Sequence, residues 1–254
     1  MAIEPEEAIK RCARDLALRR DMVTFLEFIR EEEVVGTKTR GNMPLKAIKA
    51  VTSRFVNPPP LEYSVGNKVK KIRSEEDIFD LYFVDTLATA AGLIYAPAGR
   101  RWYLTLAGEA FLRLPPLNQV VFLLGVWRYH VNWLICFPYE GMGDYLPDGF
   151  EELVFRNLMK LELGKPEPFK PFAKRLIKEG RLTWKCPGLV HEERLLVAAV
   201  ERMVIRIMEK FGVLKVRYGI RTKYGFNIEE PRDLEITLLG KVALPLTGRL
   251  KRKL

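Results

Sequence analysis

Ser74–Leu114 reads SEEDIFDLYFVDTLATAAGLIYAPAGRRWYLTLAGEAFLRL, and this stretch decides the fold. Ser74 is a helix N-cap type, and Asp77 follows three residues later as a capping-box partner. Glu75, Glu76 and Asp77 fill the first turn, where the helix dipole favours anions. Ile78, Leu81, Tyr82, Leu87 and Ala91 recur at helical spacing on one apolar face. Gly92 suits the left-handed position just past the helix end. Leu93–Tyr95 then alternates as a strand, Pro97, Ala98 and Gly99 turn it, and Arg101–Thr105 returns. Thr105 is placed to cap a further helix that stops at Pro115-Pro116.

A looser copy lies near the C-terminus, as VERMVIRIMEKFGVLKVRYG over Val200–Gly219, then LEITLLGKVALPL over Leu234–Leu246. Both copies run helix, Gly, a short apolar strand, a hairpin, Thr-Leu-x-Gly, helix. That order is the pattern of a winged helix-turn-helix. The expectation is a mainly α (α+β) chain of tandem winged-helix-like modules, each with a small β-hairpin wing. Residues 1–114 form the first, and residues 115–254 a helical segment plus the second.

The remaining elements follow from local signals. Pro5–Arg20 and Asp21–Glu33 read as one bent helix or two successive ones, and Val34–Lys38 as a short strand. Gly41-Asn42-Met43-Pro44-Leu45 is a helix start in which Asn42 caps. Leu61–Ile72 reads as a hairpin around Gly66-Asn67. Leu117–Phe137 is the most apolar run, but Asn118, Gln119, Arg128, His130 and Asn132 interrupt it, so a buried helix is expected rather than a membrane span. Asp148 is placed to cap a helix running to about Leu161, Phe169–Glu179 reads as a basic helix, and Val190–Phe211 as a third. The second hairpin reads as Val213–Tyr218 with Leu234–Thr237, joined by a long mobile tip.

The runs GNMPLKAIKAV, KIRSEEDIFDLYFVDTLATAAGL and YLTLAGEAFLRLPP resemble an uncharacterised bacterial and archaeal family with Gly-Asn-x-Pro-Leu and Arg-Ser-x-x-Asp helix starts. The resemblance spans roughly Phe25–Trp127. It implies winged-helix-like architecture and no particular activity.

Composition narrows the function. The 254 residues carry a net charge of +10 and are 48% hydrophobic, enough for a packed core with a preference for polyanions. Cys12, Cys136 and Cys186 are too few and too scattered for a disulfide framework or a metal cluster, and MAIEPEEAIKR has no apolar signal segment, so a cytoplasmic protein is expected. Charged residues reach 29% and Gln119 is the sole glutamine, a balance that fits thermophile proteins.

No catalytic constellation emerges, and neither a cofactor nor a metal is expected. His130, among Trp127, Tyr129 and Trp133, reads as a core histidine. His191 has no ligand-spaced neighbours. Glu140, Asp144 and Asp148 share a Gly/Pro-rich loop whose spacing matches no established cation motif. An enzyme built on that loop is a distant third reading.

Basic clusters are the remaining signal: Lys68–Arg73, the Arg100-Arg101 wing, Lys165–Lys185, Lys215–Lys223 and the Arg249–Lys253 tail. Such groups neutralise phosphates. Trp102, Tyr103, Trp184, Tyr218 and Tyr224 interleave with them as candidate stacking surfaces. The helix opened by Ser74 would present Glu75, Glu76, Asp77 and Asp80 to a DNA groove, which repels phosphates. Arg202, Arg206 and Lys210 form a more permissive stripe. The expected nucleic-acid-binding residues are therefore Arg100, Arg101, Arg202, Arg206, Lys215, Arg217, Arg221 and Lys223, in a non-enzymatic protein that binds DNA or RNA. The alternative is an assembly subunit that uses its winged-helix folds, the acidic helix included, to dock a protein partner.

Overall fold

The computed structural model describes residues 4–65, 68–136, 140–142, 145–184, 192–223 and 226–250, with side chains except at 63–65, 68, 140, 223, 226, 249 and 250. The chain is mainly helical α+β and divides into two compact units, residues 13–131 and residues 132–254 together with 1–12.

Two helices open the chain, α1 (Pro5–Asp15) and α2 (Ala17–Glu31), separated where Leu16 turns extended at ψ 122°. α2 is the central rod of the first unit. Its Met22, Phe25, Leu26, Phe28 and Ile29 are buried at helical spacing, and it packs against α3 (Leu45–Thr52). Pro44, not Asn42, stands at the N-cap of α3. The Asn42 carbonyl is instead occupied by the Thr37 N–H. β1 (Glu62–Val65) and β2 (Lys68–Lys71) pair as expected, Glu62 with Lys71 through Val65 with Lys68, while the turn at Gly66-Asn67 lies outside the described residues.

The helix of the opening stretch starts later than the sequence suggests. Glu75–Asp77 is a single 3-10 turn, and α4 runs Phe79–Ala90. The Asp77 carboxylate accepts from the backbone N–H groups of Arg73 and Ser74, which fixes the turn. α4 packs against α2 and against α6 (Pro116–His130). It buries Leu81, Phe83, Val84, Leu87 and Ala88, a wider surface than one amphipathic stripe. Phe83 meets Trp127 of α6 at 5.3 Å between ring centroids. Burying such a ring contributes about 1.5–3 kcal/mol. α6 ends at His130, short of Phe137, because Val131 is extended and the Asn132 Oδ1 accepts from the Leu134 N–H to open a separate turn. His130 is consequently exposed in the last turn of α6 and is not a core histidine. Gln119 is fully committed: it accepts from Arg19 at 2.9 Å and donates to the Phe111 carbonyl at 3.0 Å.

The second unit contains α7 (Phe150–Lys160), β5 (Glu167–Pro168), α8 (Phe169–Glu179), α9 (Glu192–Val200) and α10 (Arg206–Lys210). Gly149, at φ +76°, occupies the N-cap of α7, so Asp148 does not cap it. A π-helical segment, Glu201–Ile205, joins α9 to α10. β6 (Leu214–Lys223) and β7 (Phe226–Ile236) form one long antiparallel ribbon, with β5 on the far side of β7. The stretch expected as a long mobile tip is thus mostly strand. The pairing runs outward through Ile220, Thr222 and Ile228, and a register shift between Arg217 and Tyr218 leaves Arg232 as the extra residue of β7, next to Pro231. α11 (Leu238–Leu250) closes the chain.

The two copies of the sequence pattern share one hydrogen-bond clasp. In the first unit Gly92 takes φ +63°, with Gly92 N–H on the Thr89 carbonyl and Leu93 N–H on the Ala88 carbonyl. In the second Gly212 takes φ +66°, with the same two bonds to Glu209 and Met208. These are paired glycine terminations of a helix. A hairpin then returns to the glycine: β3 (Ile94–Tyr95) pairs with β4 (Tyr103–Leu104), as β6 does with β7. The Thr105 hydroxyl donates to the Gly92 carbonyl at 2.7 Å and accepts from the Gly108 N–H at 3.1 Å, capping α5 (Leu106–Leu112). Thr237 makes the equivalent bonds to Gly212 at 2.6 Å and from Gly240 at 2.9 Å. A Cβ on Gly108 would collide with the Leu93 carbonyl, and one on Gly240 with the Val213 carbonyl.

Candidate nucleic-acid interface

In the first unit the loop Gly36–Asn42 folds over the first hairpin turn. Gly36 N–H donates to the Arg100 carbonyl, Gly99 N–H to the Thr37 carbonyl and Trp102 N–H to the Val34 carbonyl, at 2.8–3.1 Å. Val35 bridges Arg101 in antiparallel fashion, so the strand expected at Val34–Lys38 is a single bridge extending the hairpin. The approach is close: a Cβ on Gly36 would lie 2.6 Å from the Gly41 carbonyl, and one on Gly99 3.6 Å from Lys38 Cα. This packing brings Lys38 and Arg40 beside Arg100, and all three are exposed. Among the described residues none of the three has an ion-pair partner. Lys46 and Lys49 on the following α3 are exposed as well, and Gly36–Lys49 holds four cations and no carboxylate.

Alternation along the hairpin sorts its faces. Ile94 and Trp102 point into the core, whereas Tyr95 and Tyr103, which stand directly opposite each other, are 62% and 52% exposed. Opposed residues on one face have Cβ atoms about 5 Å apart. Arg101 shares that face. Its guanidinium lies 5.8 Å from the Tyr103 ring centroid and bonds Glu33 at 2.7 Å. The site therefore combines Lys38, Arg40 and Arg100, which have no ion pair among the described residues, with two adjacent exposed rings. The sequence singled out Arg100, Arg101 and Tyr103. It missed Lys38 and Arg40, which only the fold of loop 36–42 onto the hairpin brings in, and Tyr95, which the β3–β4 register sets opposite Tyr103.

Of the acids expected to repel a ligand, Glu76 and Asp77 are exposed and Asp80 is half-buried, and only Glu75 is placed differently. Glu75 is buried, and its carboxylate accepts from the Met43 N–H at 3.1 Å just ahead of α3. Burial raises its pKa against the lowering effect of that bond. Desolvation, with Glu75 nearby, pushes Asp85 up to about 7. α4 buries one broad side against α2 and α6, while Glu76 and Asp77 in the turn ahead of it remain exposed.

In the second unit the expected cations face acids. Arg217 pairs with Asp233 at 3.2 Å and Arg221 with Glu230 at 2.9 Å, while Lys170 also reaches Glu230, at 3.6 Å. Lys215 is exposed opposite Glu235 in the register, and the side chain of Lys223 lies outside the described residues, as does Tyr224. The ribbon Leu214–Ile236 carries five cations and four anions, so its own field is weak. Exposed pairs of this kind are worth about 0–1 kcal/mol each. The relevant quantity for a polyanion is their near-zero sum. Arg206 bonds Glu201 at 2.6 Å and stacks 5.4 Å from the Tyr218 ring, whose hydroxyl donates to Glu209. Burial and that bond both raise the Tyr218 pKa. The π segment breaks the even spacing of Arg202, Arg206 and Lys210, so the expected stripe is interrupted, and Arg202 is exposed. Trp102 is core, and Trp184 is half-buried.

Of the acidic loop, Asp144 and the Glu140 side chain lie outside the described residues, as do Lys185, Cys186, His191 and residues 251–254 of the basic tail. Among the described residues no group of three His, Cys, Asp or Glu is placed to hold a metal, and no helix is long and apolar enough to cross a membrane. Burial pushes the Cys136 thiol up to about 12, which leaves it a protonated core residue. No family model, no curated protein and no solved structure matches the chain.

Proposed function

We propose that this chain is a non-enzymatic nucleic-acid-binding protein whose two repeats are winged-helix-like modules, and that its binding surface is the tip of the first unit. The observation that carries this is the cluster of Lys38 and Arg40, on a loop without a single acid, with Arg100 of the hairpin turn, all three exposed and without an ion pair among the described residues. Such a cluster displaces counterions from phosphates, whereas the ribbon of the second unit, with Arg217 and Arg221 paired and its cations nearly balanced by acids, has less to gain. The duplicated clasp supports the winged-helix reading of both modules.

The test compares two charge reversals in a binding titration with labelled DNA and RNA. Lys38→Glu with Arg40→Glu and Arg100→Glu should abolish binding. Lys215→Glu with Arg217→Glu and Arg221→Glu should weaken it several-fold at most. The opposite ranking refutes the assignment to the first unit.

A second reading has support of its own in the ribbon. β6 is an edge strand along its length, and Ile220 is 73% exposed. That suits addition of an extended segment from a protein partner. On that reading the wild-type chain binds no nucleic acid, so the same titration separates the two.

A further inference from the structure

We infer that the first-unit tip takes single-stranded rather than duplex nucleic acid, with unpaired bases stacking on Tyr95 and Tyr103 while Lys38, Arg40 and Arg100 hold the flanking phosphates. This rests on the proposed nucleic-acid reading and specifies its ligand.

Three observations lead there. Tyr95 and Tyr103 are an opposed pair on the solvent face of a two-residue ladder, whose other pair is Ile94 and Leu104, with the buried Trp102 just ahead of β4. Two large rings left outside, when a core lies directly beneath them, are not explained by folding. Arg101 sits against Tyr103 and is held by Glu33, so the ring carries a cation on its flank without that cation being free to roam. The cations without an ion pair among the described residues lie on the turn of this same hairpin and on the loop bonded to it through Gly36–Arg100 and Gly99–Thr37.

A duplex presents phosphates outside and hides base faces, so it can use the cations and not the rings. A single strand uses both, because every base has an accessible π face. A groove-reading helix is also missing from this unit's tip. α4, which follows the position of such a helix in the pattern, is packed between α2 and α6, and α3 is only eight residues long. The combination of positive loop and ring pair therefore fits an unpaired strand and fits a major groove poorly.

The experiment measures fluorescence anisotropy with three probes of equal length, about 12 nucleotides, inside the usual span of a single-strand site. The probes are a thymidine oligonucleotide, an abasic deoxyribose-phosphate strand and a duplex. Wild type should bind the thymidine strand at least about 10-fold more tightly than the other two. Tyr95→Ala with Tyr103→Ala should lose about 10- to 100-fold on the thymidine strand alone, and Tyr95→Phe with Tyr103→Phe should restore binding to within about 2-fold, since stacking needs the ring and not the hydroxyl. Thermal melting of each variant confirms that these surface changes leave the fold intact. Equal binding of all three probes, or an alanine pair that changes nothing, overturns the stacking inference and leaves the phosphate reading standing. No binding of any probe by wild type overturns both and turns attention to a protein partner.

Discussion

Replacing Thr105 by Val tests the clasp that both repeats share. Valine keeps the shape of threonine and removes only the hydroxyl. The Gly92 carbonyl then loses a donor at 2.7 Å and the Gly108 N–H loses its acceptor at 3.1 Å. Loss of an N-cap oxygen costs about 1 kcal/mol, and an orphaned carbonyl about 1 kcal/mol more. Thr105 is half-buried, so water recovers part of this, and the expected cost is about 1–2 kcal/mol. Thr237→Val removes the matching bonds to Gly212 and from Gly240 and should cost the same within about 0.5 kcal/mol. Urea unfolding followed by circular dichroism should show the midpoint falling by roughly 0.5–1 M with the slope unchanged. Thr105→Ser, which keeps the oxygen, should stay within a few tenths of wild type. A Thr105→Val protein as stable as wild type would show that the hydroxyl is ornamental. A large effect at one site and none at the other would show that the copies are not equivalent.

Other consequences follow from single residues. Gly108→Ala and Gly240→Ala push a methyl into the Leu93 and Val213 carbonyls and should each destabilise by at least about 1–3 kcal/mol, read as a drop in melting temperature. Asp85 has its folded pKa raised to about 7 from an ordinary 3.8, and Glu75 is raised as well. The folded state therefore holds a proton that the unfolded state releases, so stability is greatest below about pH 4 as far as these groups go and is lost as pH rises towards 7. Asp85→Asn should match wild type near pH 4 and melt higher at pH 8, and equal melting at both values would refute the desolvated carboxyl. Arg206→Leu removes the cation that favours the Tyr218 phenolate and should raise the Tyr218 pKa further, whereas Glu209→Gln removes a raising hydrogen bond and charge and should lower it. Spectrophotometric titration reads the difference.

Much of the framework is written in the sequence because the clasp uses one letter for each job. Gly92 and Gly212 supply the left-handed turn, Thr105 and Thr237 the hydroxyl, and Gly108 and Gly240 the space. These are local, and local chemistry survives translation into one dimension. What escaped were outcomes of non-local packing. Alternating charge hid the strands on either side of residues 224–225, since Arg217 and Arg221 look like a basic tip until Asp233 and Glu230 come across the ladder. Glu75 looked like a surface anion until Met43 arrived to donate to it. Lys38 and Arg40 carried no motif. Their position became meaningful only when loop 36–42 closed on Gly99 and Arg100.

The most direct check on the binding surface is the salt dependence of single-strand affinity. With Lys38, Arg40 and Arg100 each neutralising one phosphate, log K should fall against log salt with a slope of about −2, and each alanine substitution among the three should reduce its magnitude by about 0.7. Lys215→Ala, on the ribbon, should leave the slope where it was. A slope near zero for wild type, or a slope that responds to Lys215 and not to Lys38, Arg40 or Arg100, would contradict the account.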